Sequence, residues 1–356
     1  MGLLYSRMKI FHFREKLESL PRESGNILAP IHIRIKPTNA CNHSCCYCAY
    51  RSENLQLGQD MKVTDYIPRD KMLEIIEDIS EMGVKAVTFS GGGDPFCYPF
   101  LNEAVERLAG TEIRFAALTN GALLMGERAR LFAHHATWLR VSMDGWNDES
   151  YTEYRGCNPG EFSTILKNME NFLKLGGPCY LGVCIVVDHR NHTHLFDMIQ
   201  MLHGIGVNSV KIAPCVVSNS GAENNVYHKP LIDTVKEQIS KAIALFHTPL
   251  FEIFDSYHHQ LETFAKSYRW CPYLQITPVI GADLNVYTCH DKAYNVRDGL
   301  LGSLDNVSFK ELWYSDKNRF YAIDPSKVCN HHCVVDSSNQ NILEYLGVER
   351  GHLDFV

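Results

Sequence analysis

Cys41, Cys45 and Cys48 stand in the run Cys-Asn-His-Ser-Cys-Cys-Tyr-Cys, with three and then two residues between them. That spacing lets three thiolates converge on one centre from a single tight loop. Four thiolates close a tetrahedral zinc or a [4Fe–4S] cluster, whereas three leave one iron open to a further ligand. Cys46 falls outside the spacing and reads as a neighbour of the ligands. A second set, Cys271, Cys289, Cys329 and Cys333, supplies four thiols that on their own suit zinc and [4Fe–4S] equally. His290, His331 and His332 lie beside them, either as substitute ligands or, in the stronger reading, as histidines supporting the ligands or facing solvent. Between the two sets comes Ser90-Gly91-Gly92-Gly93-Asp94-Pro95. Its glycines let backbone approach a ligand and expose amides, and its carboxylate can face an ammonium.

Composition narrows the setting. The chain has 356 residues, a formal charge of −7 and 13 cysteines. An acidic balance argues against nucleic acid as a partner, and no run of eighteen apolar residues marks a membrane span. An odd number of cysteines gathered in ligand-like groups argues for metal or cluster binding in a reducing compartment, the cytoplasm, over a disulfide framework. Met1-Gly2-Leu3-Leu4-Tyr5-Ser6 fits a loose N-acylation pattern, but nothing polybasic reinforces it.

The elements that must position these groups follow from periodicity. Ile31-His32-Ile33-Arg34-Ile35 alternates as a strand and ends at Pro37, so the first cysteines leave a strand end. Strands are expected over 85–89, 114–118, 138–143, 180–187 and 210–217. They alternate with helices over 69–82, 100–108, 127–134, 162–175, 194–203 and 231–246. Six βα units with right-handed crossovers make an α/β fold, a partial barrel, whose active residues belong at the carboxyl ends of the strands. From about 249 this alternation stops, and a hairpin around Gly281-Ala282-Asp283 brings Cys271 and Cys289 to neighbouring ends. The expected organisation is an extension over 1–30, a barrel over 31–248, a small cysteine domain over 249–335 and a tail over 336–356. Pro214 implies an edge position or a bulge for the sixth strand.

The Cys-x3-Cys-x-aromatic-Cys loop after a strand in such a repeat resembles the radical S-adenosylmethionine (SAM) superfamily. The resemblance implies a (β/α)6 radical SAM barrel in which Cys41, Cys45 and Cys48 hold a [4Fe–4S] cluster whose open iron chelates SAM, with Tyr47 near the adenine. Gly91, Gly92, Gly93 and Asp94 are similar to the family's Gly-Gly-Glu motif for the SAM amino group, with Asp94 one methylene shorter. Asn120, Ser142 and Asp144 would serve the SAM ribose and carboxylate, Ser142 and Asp144 pointing to one side of an extended strand. Arg155 would pair with the SAM carboxylate, unless it is a surface arginine on a turn. The region from 249 looks like a Twitch domain, the shortened form of SPASM; with no cysteine after Cys333, one auxiliary [4Fe–4S] cluster is expected, on Cys271, Cys289, Cys329 and Cys333, for two clusters in all.

Asp188 and Lys211 are candidate substrate contacts, against a helix-capping Asp and a solvent-facing Lys. Cys215 is a candidate hydrogen-atom donor, against a merely buried thiol. The family chemistry is reductive cleavage of SAM to a 5′-deoxyadenosyl radical that takes hydrogen from a C–H bond, fed by a flavodoxin or ferredoxin. An auxiliary cluster without an open iron favours oxidation of a small polar substrate, a sugar, cyclitol or nucleotide-sugar. The alternatives are crosslinking or epimerisation of a ribosomal precursor peptide, and a lyase or epimerase reaction on a carbohydrate.

Overall fold

Strand β1 (His32–Ile35) buries Ile33 and Ile35 on one face and turns His32 and Arg34 to the other. This two-residue period repeats around the sheet. In β4 (Trp138–Ser142) Leu139 and Val141 are buried, and in β5 (Tyr180–Val187) Leu181, Val183, Ile185 and Val187 are. With β2 (Ala86–Phe89), β3 (Arg114–Thr119) and β6 (Ser209–Pro214) they pair in parallel in chain order. Helices Arg69–Glu81, Leu101–Ala109, Gly126–His135, Glu161–Lys174, Leu195–Ile205 and Ile232–Phe246 set their apolar stripes on the buried face. The other face is the lumen of a partial barrel, built as the six-unit pattern requires. The computed structural model describes residues 5–261 and 264–355, so Gly2 of the acylation pattern lies outside them. No helix among the described residues is long and apolar enough to cross a membrane.

The sheet runs further than the six-strand pattern. Strand β7 (Glu252–Asp255) adds in parallel to β6. Four residues with an acidic group at either end carry too little alternation to be read as a strand. At the opposite edge β8 (Val279–Ile280) pairs in parallel with β1, through Arg34 with Val279 and Ile35 with Ile280. Antiparallel β9 (Asn285–Tyr287) and β10 (Leu300–Ser303) come next. The order is therefore β10-β9-β8-β1-β2-β3-β4-β5-β6-β7, and the C-terminal cysteine region is hydrogen-bonded onto the strand that launches the first cysteine loop. The edge position inferred from Pro214 is corrected: β6 lies between two partners. Pro214 closes that strand opposite Val187, beyond the last β7 pair at Ile212, where a missing N–H costs nothing. The chain's two ends meet in a separate small core of Ile10, Leu17, Leu20, Ile276 and Ile342.

Candidate functional site

The first cysteine loop is clamped from two sides. Next to it, Gly92 and Gly93 pack so closely that a Cβ on Gly93 would stand 1.9 Å from the Ala40 carbonyl oxygen. What these glycines admit is thus the loop's own approach segment, the Asn39 side chain at Gly92 and the Asn39–Ala40 backbone at Gly93. On the other side, the helix Asp148–Arg155 offers its last carbonyls to the loop: Ser44 N–H donates to Arg155 O at 2.7 Å and Cys46 N–H to Tyr154 O at 3.0 Å. That helix begins at an Asn147/Ser150 capping box and ends at Gly156 in the left-handed region, φ 53°. It replaces the turn expected around Arg155, which is buried at 4% exposure instead of lying on the surface. Arg155 Nη1 lies 3.5 Å from Cys45 Sγ, and Asn120 Nδ2 lies 3.9 Å from Cys41 Sγ. Burial and the Asp94 charge push the Cys41 thiol up to about 12, so a thiolate there calls for a metal.

Above the loop lies a recess of about 220 Å³ lined by Cys41, Cys45, Cys48, Gly91–Asp94, Asn120, Ser142 and Arg155. Ser90 Oγ, which lines it too, and Arg155 Nε are buried without a hydrogen-bond partner, which suits a polar ligand at this place. Asp94 is not aimed freely into the recess. Its carboxylate accepts from Phe96 N (2.8 Å), Thr119 Oγ1 (2.9 Å) and Asn120 N (2.6 Å), tying the glycine run to the end of β3. Asp144 also differs from expectation, because β4 ends at Ser142 and strand alternation no longer orients the residues beyond it. Ser142 faces the recess, while Asp144, fully buried, accepts from Arg155 Nη2 at 2.5 Å, from Val186 N at 2.7 Å and from the Tyr47 hydroxyl. Asp144 therefore orients Arg155 and Tyr47 and lines neither cavity.

A larger cavity of about 390 Å³ shares Cys45, Cys48, Tyr50, Ser142, Arg155 and His290 with the recess and opens toward the C-terminal cysteines. Tyr47 and Cys215 line it, with Gln56, Asn219, Asn224 and Gln260 supplying carboxamides. None of those four amides was marked by the sequence: Gln56 and Asn219 lie on irregular segments, and Asn224 and Gln260 on short helices, Gly221–His228 and Tyr257–Leu261, without a spacing signal. Burial pushes the Cys215 thiol up to about 12. Asp188 and Lys211 do not line the cavity, which corrects both as direct contacts there. Asp188 is held by Arg190 Nη2 at 2.7 Å, Arg190 Nε at 2.9 Å and the Tyr154 hydroxyl. Lys211 points into the barrel from mid-β6, where burial, then the charges of Arg140 and Arg34, lower its pKa against the pull of Cys184; it is not solvent-facing.

Cys271, Cys289, Cys329 and Cys333 gather at the far side, with Asn339 Nδ2 3.1 Å from Cys271 Sγ. His290 Nδ1 lies 3.2 Å from the Tyr50 hydroxyl, joining the residue after Cys289 to the loop of Cys48. His331 Nδ1 lies 3.0 Å from His332 O, and His332 Nε2 lies 2.8 Å from Asn225 Oδ1. Among the described residues, no three of the seven cysteine sulfurs close to within 4.8 Å of one another. A single zinc, about 2.3 Å from each sulfur, would draw them closer than that.

Residues 35–202 match the family model described as the Radical SAM superfamily. A "Probable GTP 3',8-cyclase" of Methanosarcina mazei is 28% identical over 184 residues, 48% of this chain and 51% of that protein. The chain thus spans about half the length of that curated relative. Streptococcus suis SuiB bound to precursor peptide SuiA shares the fold with TM-score 0.65 and 14% identity, over 94% of this chain and 78% of that one. The structure "Native anSMEcpe with bound AdoMet" does so with TM-score 0.59 and 17% identity, over 89% and 96%. The family match runs from the last residue of β1 through β5 and takes in the cysteine loop, the glycine run and Arg155; the cofactors of that family are SAM and a [4Fe–4S] cluster, and residues 35–202 are the part of this chain that is similar to the radical SAM superfamily.

Proposed function

We propose that the protein oxidises an alcohol carbon of a small polyhydroxylated substrate carrying an anionic group, a nucleotide-sugar in preference to a neutral cyclitol. The observation that carries this reading is the 390 Å³ cavity, continuous with the recess beside Cys41, Cys45 and Cys48, whose lining includes Gln260 and the carboxamides of Asn219 and Asn224, both held in place by hydrogen bonds to backbone. Amide and hydroxyl groups at fixed positions select hydroxyl patterns. Behind the cavity, Arg34, Arg140 and Lys211 turn into the lumen within electrostatic reach of one another. None of the three forms an ion pair among the described residues. Such a reserve of positive charge favours a phosphate-bearing substrate. A relative named for a GTP reaction is in keeping with this.

Cys41, Cys45 and Cys48 would hold the first cluster, and Cys271, Cys289, Cys329 and Cys333 a second. When bound, SAM and its cluster supply a hydrogen-abstracting radical, and the second cluster supplies an electron sink. The chain's own residues do the rest. Arg155, held in place by Asp144, offers its guanidinium to a carboxylate in the recess. Tyr47 lines the larger space, and Leu55, Leu57 and Leu261 give it apolar wall. A flavodoxin or ferredoxin is the proposed reductant.

A second reading, inversion of a carbinol centre, is favoured by Cys215. Its thiol lines the cavity and burial keeps it protonated, the form that can hand a hydrogen atom to a carbon radical. Anaerobic reconstitution followed by incubation with nucleotide-sugars tests both. About eight irons per chain, SAM cleavage and a new carbonyl support oxidation. Solvent deuterium at carbon, lost in Cys215→Ala, supports inversion. Modification of a precursor peptide alone overturns both.

A further inference from the structure

We propose that His43, Cys157 and Glu161 form a separate site for one divalent ion of the zinc class, outside both cysteine sets. Their ligand atoms, one imidazole nitrogen, one sulfur and one carboxylate oxygen, lie within 4.8 Å of one another, the only such triad among the described residues. His43 Nε2 stands 3.3 Å from Glu161 Oε1, with the imidazole fully buried and the carboxylate side chain 16% exposed. Three segments supply the donors. His43 comes from the first cysteine loop, Cys157 from just beyond the Gly156 cap, and Glu161 from the first turn of the helix Glu161–Lys174.

A plain His–Glu ion pair does not account for its surroundings. Both ring nitrogens of His43 and the second carboxylate oxygen, Oε2 of Glu161, are buried without a hydrogen-bond partner. Buried polar atoms left without a partner are unfavourable, and a metal with a bound water satisfies a ring nitrogen and the carboxylate at once. The mixed N, S, O donor set is one that zinc accepts, three protein ligands leaving the fourth position to solvent. The positive charge that reaches the site, Arg155, is already balanced by Asp144. An ion here ties the cysteine loop to the following helix and stiffens it where Ser44 and Cys46 already lean on the helix end.

The experiment is metal analysis of the anaerobically reconstituted holoprotein, with cobalt(II) as the spectroscopic probe. The proposal expects about one zinc per chain beyond the iron. Cobalt should replace it and show thiolate-to-cobalt absorption. Cys157→Ala should abolish that absorption, and both it and Glu161→Gln should lower zinc retention at least tenfold with iron content unchanged. Glu161→Gln keeps size and shape, so its result stands even if the cysteine variant folds poorly. Absence of zinc and cobalt uptake in the wild type, or equal retention in both variants, overturns the proposal.

Discussion

The buried pair of Asp144 and Arg155 offers the sharpest test of how the site is held. Asp144 has no exposed surface and Arg155 almost none, and their closest atoms are 2.5 Å apart. Removing one partner strands a charge in a low-dielectric site, at a cost of about 3–5 kcal/mol. A chain of 356 residues melts with an entropy of roughly 0.7 kcal/mol per kelvin. Arg155→Met should therefore lower Tm by about 4–7 °C. Asp144→Asn should cost a similar amount, since the Val186 N–H and the guanidinium then face a neutral amide. The double variant removes both charges together, so its loss should fall short of the sum of the single losses by about 2 kcal/mol, or roughly 3 °C. Anaerobic thermal unfolding followed by near-ultraviolet circular dichroism measures all four proteins.

A functional arm comes from the same geometry. Arg155 lines both cavities and Asp144 lines neither. If Asp144 acts by aiming Arg155, Asp144→Asn should weaken SAM binding about tenfold in calorimetry, equivalent to about 1.4 kcal/mol. Additive melting losses within about 0.5 kcal/mol, or SAM affinity unchanged in Asp144→Asn, would refute the claim that the two residues act as a unit.

Four further outcomes are expected. Cys45→Ala should lose roughly half of the iron and all SAM cleavage, and Cys289→Ala the other half of the iron with cleavage retained; elemental analysis and product chromatography separate the two. Gly93→Ala should displace the first cysteine loop, because the added Cβ meets backbone of Ala40 at 1.9 Å, and cluster absorbance after reconstitution should drop severalfold. Lys211→Met should raise KM for a phosphorylated substrate about tenfold and leave SAM cleavage without substrate unchanged, as steady-state kinetics will show. For pH, burial and then the Lys317 charge lower Lys16 from 10.5 to about 7. Between those values the unfolded chain holds a proton that the folded chain lacks, so this site makes stability rise with pH across that window. Lys16→Met should flatten the slope of Tm between about pH 7 and pH 10.

The features legible in the sequence divide from the rest along physical lines. The six strands and their helices were legible because burial on one face imprints a period, as with Ile33 and Ile35 or Leu181 to Val187. β7 and the helix Asp148–Arg155 were not. The first is four residues long, and the second is polar around its exposed face, with Tyr151 and Tyr154 as its buried aromatic contacts. The cysteine groups were legible from spacing, yet the partners of Asp94, Asp144 and Asp188 were not. A carboxylate at a strand end has the same sequence signature whether it faces a ligand or closes a turn, and only the donors brought from distant segments decide. The lumen cations had no signal beyond their alternation with buried neighbours.

The two cysteine sets are related by the sheet, and this explains why a chain with such different halves makes one site. β1 ends at Ile35 beside Ile280 of β8, and Lys36 N–H donates to the Ile280 carbonyl at 2.8 Å. From that shared rung one segment runs six residues to Cys41, and the other turns through β9 to Cys289. A one-residue slip between β1 and β8 would invert which side chains face the lumen. It would also pull Tyr50 from His290, the hydrogen-bonded contact of 3.2 Å between the two loops. Lys36 locks the register from inside: its buried Nζ donates to both the Gly91 carbonyl and the Tyr50 hydroxyl, linking the glycine run, the first loop and, through Tyr50, the second. The separation of the two cysteine sets is thus set by backbone pairing and one buried lysine. The larger cavity, with Cys45 and Cys48 on one wall and His290, Asp291, His331 and His332 on the other, takes its width from that register.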